Sequence, residues 1–292
     1  MWPWLSDAVG TCSKHNLHCA IYSTGIDRND GARKIVALAK QGLDKVAFSL
    51  YSPHKEYHEQ VTTKADSFDK TVVAIAMSRD SDLEREIHFV PLKRNFRHLE
   101  ELVRFAEENA VPRLSILRFV PHGRGVIFKG SQEMLGHKES IELRNLIQKC
   151  RQSYRVQIRV GSPYNILLLE RDVDCDAARG TLIVGPNGNL YPCDAFKNIQ
   201  PYDIGLDDPY NNILGHPLRQ CWENSLYLNA IRRYLSMPFA EPCSACEHLE
   251  RCKSGCLAQK VIDQESILGG NIAKRPDPLC LRRFVGGHHA SR

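Results

Sequence analysis

Cys243-Ser244-Ala245-Cys246-Glu247-His248-Leu249-Glu250-Arg251-Cys252-Lys253-Ser254-Gly255-Cys256 sets four cysteines in one short run, spaced x2, x5 and x3. A Cys-x2-Cys turn brings two sulfurs to one metal, because the chain reverses within four residues. Working outward, Cys175 is followed after twelve residues by Gly188 and, four residues further, by Cys193, while Cys280 lies beyond the run. Seven such thiols exceed one tetrahedral site. Two sites, one of them short of a fourth cysteine, is the natural count. Thiolates select soft metals, chiefly zinc or iron–sulfur clusters. Structural zinc stays open on spacing alone. The x5-x3 run, however, is not the paired knuckle of a zinc ribbon, and an odd seventh ligand suits a cluster with an open iron.

The rest of the composition is that of an ordinary globular chain. Its 292 residues are 42% hydrophobic and 25% charged, with 39 Lys and Arg against 34 Asp and Glu, a net +5. Disorder and collagen-like repeats are excluded. The positive balance is too diffuse to indicate nucleic acid. No stretch approaches the roughly 20 apolar residues of a membrane-spanning helix, and Met1-Trp2-Pro3-Trp4 opens no signal peptide, so a cytoplasmic location is expected. Of the 11 cysteines, eight fall between Cys175 and Cys280. In the cytosol such clustered thiols are metal ligands rather than disulfides.

Toward the N-terminus, strand and helix patterns alternate. Apolar runs at Cys19–Tyr22, Lys45–Leu50, Glu86–Val90, Leu114–Val120 and Val156–Val160 predict strands. Between them lie predicted helices: one from Asp30 through Gln41 stopped by Gly42, one opening at Asp66 or Ser67 with Phe68, Val72, Ile75 and Ala76 on its apolar face, one capped by Asn95, and one from Lys138 to Gln152. Such alternation indicates βαβ units and a parallel sheet, an α/β fold. Ligands of these folds gather at the C-terminal strand ends, near Ser23, Thr24, Ser49, Tyr51, Ser52, Arg118 and His122. His54 and His58 are expected in a surface loop. After about residue 165 the pattern becomes loops and short hairpins with one helix around Leu226–Leu235, too poor in apolar residues for a large core without a staple.

The pattern Cys-x12-Gly-x4-Cys…Cys-x2-Cys-x5-Cys-x3-Cys…Cys resembles the SPASM domain of radical S-adenosylmethionine (SAM) enzymes, peptide- and protein-modifying maturases that include anaerobic sulfatase maturases. Phe48-Ser49-Leu50-Tyr51-Ser52 with His54, Tyr57 and His58, and Leu117-Arg118-Phe119-Val120-Pro121-His122-Gly123-Arg124-Gly125, resemble strands of the radical SAM partial barrel. The resemblance implies an incomplete partial barrel over residues 1–165, a SPASM auxiliary-cluster domain over 166–285 and a tail over 286–292. It implies two auxiliary [4Fe-4S] clusters, the outer on Cys243, Cys246, Cys252 and Cys280, the inner on Cys175, Cys193 and Cys256. Cys221 is a candidate for the inner cluster's fourth ligand, with a packed thiol as the preferred reading. Asp194 matches the position of a proton-accepting aspartate. Ser23, Ser49 and Arg118 are the candidates to touch SAM. The implied partners are a peptide or protein substrate and an electron donor such as flavodoxin or ferredoxin, with no nucleic acid and no membrane.

One departure from the family pattern stands out. The Cys-x3-Cys-x2-Cys loop that holds the SAM-cleaving cluster is not in this sequence, since Cys12 and Cys19 are six residues apart. The first strand corresponds to the family's third. The chain is therefore expected to be an N-terminally truncated form that does not cleave SAM by itself. The reading is a radical SAM/SPASM iron–sulfur oxidoreductase or maturase acting by hydrogen abstraction. A non-enzymatic iron–sulfur electron carrier and a zinc-stapled binding module are the alternatives.

Overall fold

The structure is a computed structural model that describes residues 2–27, 30–121, 123–128, 133–170, 174–236, 238–263 and 275–280. His122, the side chain of Arg124 and the tail 286–292 lie outside the described residues. The chain divides into two compact units, one of residues 1–119 and 132–161, the other of residues 120–131 and 162–292.

The first unit begins with α1 (Leu5–Lys14) and β1 (Ala20–Ser23), followed by α2 (Gly31–Ala39), β2 (Lys45–Ser49), α3 (Lys55–Thr62), α4 (Ser67–Met77) and β3 (Glu84–Phe89). It ends with α5 (Leu99–Glu108), β4 (Arg113–Ile116), α6 (His137–Ser153) and β5 (Gln157–Val160). The five strands form one all-parallel sheet in chain order, the α/β architecture expected from the alternation. Strand register sorts the side chains into two faces. Val46, Phe48, Ile87, Phe89, Leu114, Ile116, Ile158 and Val160 share one face and are buried, where α4 packs on β2, α5 on β4 and α6 on β5.

The opposite face is polar. Lys45 pairs in register with Glu84, Ser49 with His88, Glu86 with Arg113, and Ser115 with Arg159. Parallel sheets are normally apolar on both sides, so a polar face marks a surface built to meet polar groups. At its centre Glu86 is 2% exposed. It accepts hydrogen bonds from Ser115 and Lys45 and lies 3.2 Å from His88 Nε2. Burial acts to raise its pKa, but the hydrogen bonds from His88, Lys45 and Ser115 outweigh it and hold the carboxyl at about 2.

Several expectations are corrected. His58 is not on the surface: it sits on α3, fully buried, its Nδ1 accepting from the Tyr51 N–H at 3.3 Å, and burial lowers its pKa to about 4. Asn95 stands at the N-cap of the 3-10 turn Phe96–His98 that leads into α5, but its side chain makes no capping bond. Its amide accepts from Leu92 N at 2.6 Å and donates to Tyr51 O at 2.8 Å and Val90 O at 3.1 Å, pinning the segments after β2 and β3 together. α4 turns Ser67, Thr71, Ala74 and Ile75 inward and leaves Ala76 exposed, because Thr71 Oγ1 donates to Thr24 O at 2.6 Å and fixes the helix rotation. β4 stops at Ile116, short of the Val120 expected.

The second unit comprises α7 (Asn165–Leu168), the hairpin β6 (Ile183–Val184) and β7 (Leu190–Tyr191), α8 (Leu218–Asn224), α9 (Leu226–Ser236), α10 (Leu249–Cys252) and α11 (Leu257–Asp263). It carries more helix than the sequence suggests, since α8, α10 and α11 are too short to show a period. It also has an apolar core, in which Leu190, Tyr191, Phe196 and Ile199 meet Tyr227, Leu228 and Ile231 of α9 and Leu257, Ala258 and Val261 of α11. Asp208 Oδ2 accepts from Ser225 Oγ at 2.6 Å and Tyr227 N at 2.9 Å, closing the start of α9. Among the described residues no helix is long and apolar enough to cross a membrane.

The Glu86 cluster yields a pH test. The folded pKa lies below the unfolded one, so its stabilisation, on the order of 3 kcal/mol, is present above about pH 5 and is lost as the pH falls toward 2. Urea unfolding at pH 7 and pH 3 should show Glu86→Gln losing less stability on acidification than the parent chain.

Candidate metal centre

The residues between the cysteines decide which sulfurs meet. Cys175 and Cys193 flank the β6–β7 hairpin. Backbone bonds from Ala178 N to Thr181 O at 3.1 Å and to Pro192 O at 2.9 Å draw its two ends together. The hairpin tip needs Gly188: its φ is +81°, and a Cβ there would stand 2.8 Å from Leu214 Cγ and 2.9 Å from Asn212 Oδ1. The glycine of the spacing pattern thus has a steric reason. Arg232 of α9 stacks on the Trp222 ring at 4.1 Å and donates to Ala178 O at 2.7 Å, tying the hairpin to the helix.

A second device separates Cys252 from Cys256. Lys253, Ser254 and Gly255 are all left-handed, with φ of 51°, 60° and 79°. Such a run is costly for side-chain-bearing residues and persists only where its surroundings over-determine it. Here Asp277, 1% exposed, supplies the constraint. Its carboxylate accepts from Cys256 N at 2.9 Å and from Leu279 N at 2.9 Å, and its carbonyl accepts from Cys280 N at 2.9 Å. A Cβ on Gly255 would lie 2.3 Å from Asp277 Cβ.

The sulfurs fall into two sets. Burial pushes the Cys193 thiol up to about 12, and the charges of Cys256 and Cys175 act on it in the same direction. Burial likewise raises Cys175. Cys252 is pushed up to about 12 by burial, with Cys280, Asp277 and Cys243 adding to it. Cys193 thus feels Cys175 and Cys256, and Cys252 feels Cys243 and Cys280, while Tyr234 and Lys260 feel members of both groups. Cys246 follows Cys243 in a turn in which its N–H donates to Cys243 O at 3.0 Å. All eleven cysteines are free thiols. Among the described residues no three His, Cys, Asp or Glu side chains are placed as a set that could hold a single metal ion. The donor chemistry nonetheless fits a soft iron–sulfur group: half-buried thiols act on one another with like charge if ionised, a condition that a bound cation relieves.

The other candidates are scattered. Cys221 is fully buried, its Sγ directed at Asn212 O and His216 O, each at 3.5 Å, as a packed thiol of the core. Asp194 lies in a 3-10 turn with its side chain 70% exposed and paired to Lys197. Ser23 Oγ accepts from Gly25 N at 3.0 Å and lies in register with Phe48, whereas Ser49 is in register with His88 on the polar face. The sheet thus puts Ser23 and Ser49 on opposite sides. Arg118 is half-buried two residues past β4.

Sequence reasoning missed Lys260, Ser254 and Asp277 around the sulfurs. Lys260 had one available signal, its spacing of four from Cys256 on a helix. It also missed His98, whose Nδ1 lies 3.1 Å from Ser52 Oγ and whose ring packs on Tyr57 at 4.5 Å.

No protein-family profile matches the chain. It is 24% identical over 278 residues to the PqqA peptide cyclase of Methylocella silvestris, covering 94% of this chain and 70% of that one. It is 25% identical over 251 residues to the mycofactocin maturase MftC of Mycolicibacterium smegmatis, covering 84% of this chain and 59% of that one. Among solved structures, Streptococcus suis SuiB bound to S-adenosylmethionine superposes with a TM-score of 0.68 at 15% identity, over 94% of this chain and 62% of SuiB. The protein anSMEcpe with bound AdoMet and a Cp18Cys peptide gives 0.67 at 21% identity, over 96% of this chain and 77% of that one. The chain spans between 59 and 77% of the length of these proteins. The resemblance to radical SAM proteins that modify peptides is borne out, and the α/β fold with its parallel sheet is shared with SuiB and anSMEcpe.

The left-handed run gives a direct test. Gly255→Ala forces a Cβ against Asp277, costing about 1–3 kcal/mol in backbone strain alone, and should lower the urea midpoint well beyond Ser254→Ala, as followed by circular dichroism.

Proposed function

We propose that this chain is part of a radical SAM maturase that modifies a peptide or protein substrate by hydrogen abstraction, and that residues from about 166 onward are its auxiliary-cluster domain. The observation that supports the reading is the cysteine spacing from Cys175 to Cys280, with Cys193 acted on by the charges of Cys175 and Cys256 and Cys252 by those of Cys243 and Cys280. Cys175, Cys193 and Cys256 hold the inner cluster. Cys243, Cys246, Cys252 and Cys280 hold the outer one. Clusters held by these thiolates supply one-electron transfer within a largely apolar surround.

The chain's own residues do the rest. The thiols give up their protons on ligation, and the apolar core formed by α9, α11 and the hairpin limits water around the inner set. The polar face of the sheet, with Ser49 and His88 near its C-terminal edge, offers hydrogen bonds to SAM or substrate, and Arg118 adds a polar group just past β4, whereas Ser23 faces the other side of the sheet. Asp194, exposed on its turn, accepts the proton released as substrate oxidation completes. A flavodoxin- or ferredoxin-type donor in the cytoplasm fits the electron demand. The alternative reading is an iron–sulfur electron carrier, for which the thiols of the second unit suffice.

Anaerobic purification tests the proposal. The protein should be brown and hold about eight irons per chain. Cys193→Ala and Cys243→Ala should each lose about half of that iron. A colourless, zinc-loaded preparation sinks it. Addition of SAM and dithionite should release no 5′-deoxyadenosine from this chain; release should follow once an in-frame Cys-x3-Cys-x2-Cys segment, sought in the DNA upstream of Met1, is joined to it. If that longer protein also releases none, the carrier reading stands instead.

A further inference from the structure

Lys260 is the charged side chain that neither the fold nor the ligand set accounts for. It is 2% exposed, and burying an ammonium is expensive unless something nearby repays it. It sits on α11, where its N–H donates to Cys256 O at 3.2 Å, so one helical turn carries it back over Cys256. Its Nζ donates to Ser254 Oγ at 2.5 Å and to Tyr234 Oη at 3.0 Å. Ser254 Oγ in turn lies 3.1 Å from Cys243 Sγ. The rings of Tyr234 and Phe239 stand 5.7 and 5.9 Å from the ammonium.

The position is shared between the two thiol sets. Burial lowers the Lys260 pKa, and the charges of Cys243, Asp277, Cys252 and Cys256, drawn from both sets, act the other way to hold its proton. One hydroxyl, Ser254, links the ammonium to an outer-set sulfur, and one helical turn links it to the inner-set residue Cys256. Ser254 also belongs to the left-handed run that separates Cys252 from Cys256, so the same turn that divides the ligands delivers the cation between them.

We propose that Lys260 is a positioning residue that places a fixed positive charge between the two cluster sites and raises the reduction potential of the clusters they hold. This rests on the reading that iron–sulfur clusters occupy these thiols. Reduction adds one electron to a cluster from an external donor, dithionite in the test, with no bond made or broken. The added negative charge is stabilised by a cation held a few ångströms away in a low-dielectric surround. A cation shared by both sets raises both potentials together, which eases uptake of an electron from the donor at either one.

The test is a redox titration of the anaerobically reconstituted full chain, followed by electron paramagnetic resonance, with Lys260→Met and Lys260→Arg beside the parent. Met keeps the length of the side chain and removes the charge. Lys260→Met should disfavour reduction about tenfold, equivalent to about 59 mV for one electron, at unchanged iron content, and Lys260→Arg should return most of it. If Lys260→Met holds iron at the parent potential, the charge role is overturned while the cluster reading stands. If Lys260→Met loses iron, Lys260→Arg decides: recovered iron and potential support the charge role, and unrecovered iron assigns Lys260 to packing and overturns it. A parent chain that holds no iron overturns both readings.

Discussion

Thiols that ligate a cluster must be gathered before the cluster is there, and as thiolates they repel one another. On the proposed reading, the second unit answers that constraint with burial and with backbone. Burial keeps the waiting sulfurs protonated, pushing Cys193 and Cys252 up to about 12, so the folded chain avoids a nest of like charges. The backbone does the gathering. A hairpin closed at Gly188 brings Cys175 to Cys193, and a left-handed run locked by Asp277 turns Cys252 and Cys256 to different sets. The core of α9 and α11 supplies the rigid wall against which both devices press.

The first unit solves a different problem with the same economy of parts. A parallel sheet whose helices cover one face needs a reason for the other to stay wet. Lys45, Glu84, Glu86 and Arg113 neutralise one another at the start of the strands, while Ser49, His88 and Ser115 occupy the face further along. The charged cluster seals one end, and the polar groups remain for whatever binds at the other.

Much of this was legible in the sequence. Strands at Lys45–Leu50 and Val156–Val160 and the helix at Lys138–Gln152 come within two residues of those observed, because their apolar periods are long and their ends are marked by turn residues. The cysteine spacing named the ligand candidates at once. What stayed hidden depends on tertiary context. His58 looks like a loop residue until Tyr51 and Phe68 close around it. Asn95 looks like a cap because its contacts with Tyr51 and Val90 leave no mark in the local pattern. Lys260 reads as one more surface lysine on a short polar helix, and only its proximity to Cys243, Cys252, Cys256 and Asp277 gives it meaning.

The carboxylate of Asp277 reaches back across 21 positions to the amide of Cys256, and this has a consequence for biosynthesis. During translation the turn at Gly255 emerges before its lock does. Until Asp277 leaves the ribosome, Cys256 has no fixed orientation, and Cys280, three residues later, has not been made. On the proposed ligand sets, both therefore reach completion within the same few codons, as a pair rather than in succession.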